Sequence, residues 1–167
     1  MSLSAYLSIG VFLILQFGVT GYAIARGGAP EIVAGVTLLI AAGATLVAPL
    51  AMGVNFDHVA WALFLVDGPL CVLLMVLAAF ADRFWPMWLA ALQVVAVGIH
   101  GVRAYDPVIL NYAYWFMAGK ISYPMLLIVA IGTRRHYRRA ASGLPEYAWT
   151  HQRKALWGQK PRSANTT

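Results

Sequence analysis

Residues Tyr105–Arg139 read YDPVILNYAYWFMAGKISYPMLLIVAIGTRRHYRR. From Val108 to about Gly132 the run is apolar, and at 1.5 Å per helical residue it is long enough to cross a hydrocarbon core about 30 Å thick. It opens after Asp106-Pro107 and closes on Arg134, Arg135, Arg138 and Arg139. Arginines crowded at one end of a span mark its cytoplasmic side. Dividing the run at Gly119-Lys120 leaves two pieces of about eleven residues, and neither could cross the core. A re-entrant hairpin would return the arginines to the wrong side. One kinked span is therefore expected. Its break falls at Lys120, because Pro124 has no N–H to offer the Lys120 carbonyl.

The rest of the chain has the same character. Of its 167 residues 61% are hydrophobic and 11% charged, against about 25% charge in soluble domains. So little charge cannot cover a surface that faces water, and the solvent must be largely lipid. Four further spans are expected at about 3–25, 32–52, 59–80 and 85–101. The fold class is then an all-α membrane protein of five transmembrane helices over 1–133, followed by a basic tail over 134–167. The opening MSLSAYLSIGVFLILQ lacks a basic n-region and a small-residue cleavage site, so it reads as a retained span. Pro30 suits a helix start, and Glu31 suits the positive end of that helix. Gly10, Gly18 and Gly21 are expected to let neighbouring helices approach closely. Pro69, after Asp67-Gly68, should bend the third span.

The charge is basic by six, from 12 Lys and Arg against 6 Asp and Glu. Its location argues against nucleic acid. Eight of the twelve basic residues follow residue 133: the four arginines above, with Arg153, Lys154, Lys160 and Arg162. Such a tail beside a span is first a topology signal and second a contact for anionic lipid or a partner protein, with Trp149 and Trp157 suited to the headgroup level. The inner connections then hold Arg26, Arg83 and the tail, and the outer ones only Arg103. That assignment puts the N-terminus outside and the tail in the cytoplasm. The single Cys71 excludes a disulfide framework within the chain and reads as a small buried apolar residue.

Three constellations bear on chemistry. Depth counting puts Asp67 about 13 Å below the outer end of span 3 and Lys120 about 18 Å below the start of span 5. An unpaired charge at mid-membrane costs at least about 2.5–3.5 kcal/mol, so Asp67 and Lys120 are expected to face inward and pair, with Gln93 as a third partner. The pair is either an ion or proton site of a small transporter or a fixed helix register. Second, His58 and His100 fall at the outer edge of adjacent spans with Asp57 and Asp106 at similar height. Two histidines at one depth suit a haem, and the four together a metal; hydrogen-bonded interfacial histidines are the plainer reading. Third, Tyr112, Tyr114, Trp115 and Phe116 above Lys120 could line a quinone, pigment or lipid groove, or simply pack. No nucleophile elbow, phosphate loop, zincin helix or dinucleotide fingerprint occurs in the right context, so no enzyme is expected.

The run ADRFWPMWLAALQVVAVGIHGVRAYDP at 81–107, with SYP at 122–124 and IGTRRHYRR at 131–139, resembles a family of small polytopic inner-membrane proteins of alphaproteobacteria. The resemblance covers residues 81–139. It implies a bacterial inner membrane and carries no activity with it. The function expected is that of a non-catalytic accessory subunit of a larger inner-membrane complex, with an energy-transducing one, respiratory or photosynthetic, as a candidate host. The rivals are a small transporter or channel and a haem or metal anchor.

Overall fold

A computed structural model describes residues 3–52, 56–105, 120–143 and 147–152. The described residues are helical: α1 (Leu3–Arg26), α2 (Ala29–Met52), α3 (Phe56–Phe80), α4 (Trp85–Tyr105) and α5 (Ser122–Ala141). Consecutive helices pack on one another from α1 to α4, and α5 closes the bundle against α1, α2 and α4. The small-faced α2 touches α1, α3 and α5, the central place its alanines and glycines allow.

Among the described residues four helices are long and apolar enough to cross a membrane, with windows at Leu7–Arg26, Ala29–Ala48, Trp61–Phe80 and Trp85–Val102. Within those windows only 17–28% of residues are buried inside the chain. Large apolar side chains point outward on every one, among them Phe17, Ile40, Trp61, Val72 and Trp88. In water such continuous apolar surface would drive association. In lipid it is the ordinary outer surface, so the bundle is compatible with a multi-pass membrane protein. A thin core remains, built on Ala23, Ala34, Leu70, Leu74, Leu89, Met125 and Val129, with Cys71 also buried.

Several boundaries differ from the sequence expectation, among them the start of α3, at Phe56 rather than 59. α2 begins at Ala29 rather than 32, taking Pro30 and Glu31 into its first turn. α4 runs to Tyr105 rather than 101, because nothing before Asp106-Pro107 withholds a backbone donor. α3 runs unbroken through Pro69. Residues 108–119 of the expected fifth span, with the aromatic group Tyr112, Tyr114, Trp115 and Phe116, lie outside the described residues. Lys120 is helical and the assignment lapses at Ile121, whose backbone nevertheless stays right-handed α (φ −59°, ψ −31°).

Close approach occurs at other glycines than those expected. Nothing lies within 4 Å of where a Cβ would stand at Gly10, Gly18 or Gly21. At Gly132 a Cβ would stand 3.0 Å from the indole of Trp85, and at Gly28 it would stand 3.0 Å from the ring of His136. Those two contacts seat the turns and α5 against each other at one end of the bundle.

The tail returns to that same end. Ala81 and Trp149 form an isolated antiparallel bridge. Asp82 N–H donates to the Ala148 carbonyl at 3.1 Å, and the Thr150 hydroxyl to the Phe80 carbonyl at 3.1 Å. Trp149 lines, with Val33, Thr37, Leu74, Leu77 and Phe80, an apolar groove of about 250 Å³ along α2 and α3. Trp149, expected to meet a partner or lipid, thus meets its own chain. Arg153, Lys154, Trp157, Lys160 and Arg162 lie outside the described residues.

Gly132→Val must displace the Trp85 indole, and overpacking of this kind costs about 1–3 kcal/mol. Gly18→Ala adds a methyl where space is open and removes backbone freedom, so it is neutral or stabilising by up to about 1 kcal/mol. Thermal unfolding of the two variants in mild detergent, followed by tryptophan fluorescence, should give a lowered midpoint for the first and not for the second.

Candidate functional site

Two polar clusters are buried in the bundle, at different depths. The first joins α3 to α4. Asp67, just before Gly68-Pro69, faces α4. Gln93 Nε2 donates to Asp67 Oδ1 at 3.0 Å and to the Asp67 carbonyl at 3.3 Å. His100, two turns along the same face of α4 (i, i+7), places Nε2 2.8 Å from Asp67 Oδ2. Gln93 and His100 are buried, while the Asp67 side chain keeps 27% of its surface exposed. Two lone pairs cannot face each other at that distance, so one proton lies between Nε2 and Oδ2. The imidazole and the amide thus tie α4 to the one carboxylate of α3's middle turns.

The Asp67–Lys120 ion pair expected from depth alone is not formed. Lys120 is exposed, with its ammonium 5.4 Å from the centroid of the Tyr123 ring. The reason is azimuth: α5 packs on α1, α2 and α4, and α3 is not among its principal neighbours. Gln93, expected as the third partner, is a direct one.

The matched depth expected for His58 and His100 is also not kept. His100 packs edge-on against Phe64, with centroids 6.2 Å apart, so its level on α3 is six residues from His58. At 1.5 Å per residue the offset is about 9 Å along the axis. The expectation erred because span 4 was ended at 101, which made His100 terminal. With α4 running to Tyr105, His100 lies more than a turn inside. The side chains of His58 and Asp57, and all of Asp106, lie outside the described residues. Among the described residues no group of three or more His, Cys, Asp and Glu could hold a metal.

The second cluster was missed by sequence reasoning. Glu31, fully buried, accepts from Trp85 Nε1 at 3.2 Å through Oε1 and from the Gly28 N–H at 3.1 Å through Oε2. Arg83 Nε lies 3.6 Å from Glu31 Oε1 with its side chain 8% exposed. Arg83 Nη2 reaches His136 Nδ1 at 3.2 Å. A guanidinium can only donate, so Nδ1 accepts and the neutral ring carries its hydrogen on Nε2. One carboxylate and one guanidinium thus tie the first turn of α2, the α3–α4 turn and the end of α5. Glu31 was read as a helix-dipole residue and Arg83 as a topology signal. The usable signal was Glu31 standing among connections rich in arginine.

A third, smaller tie joins α1 to α2. Buried Gln16 donates to the Thr20 hydroxyl at 3.2 Å, which donates to the Gly35 carbonyl at 3.1 Å.

No family model, curated protein or solved structure matches this chain. The reading therefore rests on the residues themselves.

Removing one partner of a buried ion pair costs about 3–5 kcal/mol, because the other charge is left unpaired. Glu31→Gln or Arg83→Gln alone should therefore lower the unfolding midpoint sharply. The double variant should recover part of the loss. Equal or additive losses in the double variant would show that the two charges do not act as a pair.

Proposed function

We propose that the chain is a non-catalytic subunit of a larger bacterial inner-membrane assembly, with its N-terminus outside and its basic tail in the cytoplasm. The observation that carries this reading is the division of labour on the bundle's surface. Five of the six buried polar side chains described, Gln16, Thr20, Glu31, Gln93 and His100, take part in bonds that link helices or turns, directly or through one another, and the sixth, Thr133, bonds within α5. The outer face of α1, by contrast, leaves Gly10, Gly18 and Gly21 with open space around them. In lipid, helices associate through small residues that let backbones approach. A glycine face that its own bundle does not use is suited to another subunit's helix. The orientation is supported by the common end shared by Arg26, Arg83 and the α5 arginines.

Blue-native electrophoresis of a tagged copy solubilised in gentle detergent tests this. The tagged chain should migrate with other proteins well above its monomer mass. Gly18→Leu with Gly21→Leu should release it as a folded monomer. A wild-type chain that runs as a stable monomer would overturn the reading.

A second reading, a small proton- or ion-translocating bundle, is favoured by one observation: the Asp67 carboxylate is partly exposed and shares a proton with His100. In this version the working pair is Asp67 and His100. Vesicles holding a pH-sensitive dye should then show protein-dependent proton flux that Asp67→Asn abolishes while leaving the unfolding free energy within about 1 kcal/mol of wild type, since the amide keeps the Gln93 bond. No flux above protein-free vesicles would dismiss it.

A further inference from the structure

α5 carries an outward stripe that changes chemistry along its length. Lys120, Pro124, Leu127, Ile131, Arg134 and Arg138 follow at i, i+4, i+7 spacing on one face, and all six are exposed. The opposite face, with Met125, Leu126, Val129, Gly132 and Thr133, is buried. From Leu127 to Ile131 the stripe is apolar; from Arg134 it is cationic. The switch falls at the level of Gly132, where the Trp85 indole packs on α5. Tryptophan favours the boundary between hydrocarbon and headgroups. At 1.5 Å per residue, Arg134 stands about 3 Å and Arg138 about 9 Å beyond Gly132. The headgroup layer is about 5–8 Å deep on each side, so the two guanidiniums bracket its depth.

A third cation joins them from α1. The Arg26 guanidinium lies over the Tyr137 ring, 4.6 Å from its centroid. A guanidinium stacked on a ring keeps its edge free to donate two parallel hydrogen bonds. Tyr137 is one turn beyond Arg134 on the neighbouring face, so Arg26 and Arg134 flank the α1–α5 seam. Among the described residues no carboxylate pairs with Arg26, Arg134 or Arg138. The nearby carboxylate, Glu31, is buried and engaged by Gly28, Arg83 and Trp85.

We propose that this seam is a binding site for an anionic phospholipid of the inner leaflet. Its phosphate is held between Arg26 and Arg134, with Arg138 facing the outer part of the headgroup, and its acyl chains lie along Leu127 and Ile131. A free phosphate would use the same donors but gain nothing from the apolar half of the stripe. The site stands apart from the subunit reading and needs only that α5 meets the inner leaflet.

The test uses the full chain in mild non-ionic detergent, with thermal unfolding followed as short-chain phosphatidylglycerol, phosphatidylcholine or inorganic phosphate is titrated in. Phosphatidylglycerol should raise the midpoint in a saturable way. Arg26→Gln with Arg134→Gln should raise the half-saturating concentration roughly tenfold or more, the scale expected for losing charge-assisted bonds. Arg139→Gln, on a different arc of the helix, should leave it unchanged. The lipid-free midpoints report whether each variant folds. Equal shifts from phosphatidylcholine would make the site an unspecific lipid surface, and equal shifts from inorganic phosphate would make it a free-anion site. Either result, or unchanged phosphatidylglycerol binding by the double variant, overturns the proposal.

Discussion

The buried Glu31 carboxylate is the interaction on which the rest of this bundle depends. It receives the Gly28 amide, the Trp85 indole and the charge of Arg83, and Arg83 passes the connection on to His136. Four chain segments that would otherwise be held by weak lipid-phase packing meet at one point. In lipid there is no hydrophobic gradient between one helix and the next, and an interhelical hydrogen bond contributes only about 0.6 kcal/mol on average. Ties such as Gln16–Thr20–Gly35 are of that scale. An ion pair with its carboxylate fully buried, whose disruption costs several times as much, therefore dominates register at its end of the molecule. The small residues follow from it. Gly28 and Gly132 are glycines because a Cβ would strike the His136 and Trp85 rings that complete the cluster.

The same end also receives the tail. The strand-like contact of Ala81 with Trp149 uses backbone groups of the α3–α4 turn that the helices leave open. Its tryptophan lines the groove along α2 and α3. A turn held from inside by Glu31 through Arg83 and from outside by the tail has little freedom, and this gives α5 a fixed platform from which its arginines project.

How far the sequence carried depended on the kind of information needed. Span existence was legible, because length and apolarity are one-dimensional and the four described long helices sit where the hydropathy placed them. Depth was nearly legible: Asp67 and Gln93 were matched correctly across α3 and α4. Azimuth was not. Lys120 is exposed beside Tyr123 and does not pair with Asp67, and no residue count could show that α5 lies against α1, α2 and α4. Helix ends mattered as much. Ending span 4 at residue 101 turned His100 into an edge residue and suggested His58 as its partner, whereas four more helical residues put it beside Phe64 and Asp67. The Glu31 cluster was hidden for another reason. Its members come from two connections and the last turns of α5, far apart in the chain, and each has a sufficient local explanation alone.

The two buried carboxylates are therefore unlike in what they can do. Glu31 has no exposed surface, and donors engage both of its oxygens. Changing its charge state would strand Arg83, so it is suited to holding helices and to nothing that cycles. Asp67 is held by one amide and one imidazole, shares a proton with the latter, and keeps 27% of its side chain exposed. Gln93 holds it twice, at the carboxylate and at the backbone carbonyl, so α3 and α4 are joined there by more than one bond. The bundle is thus joined by two different means, a charge pair at the Glu31 end and a hydrogen-bonded carboxylate between α3 and α4.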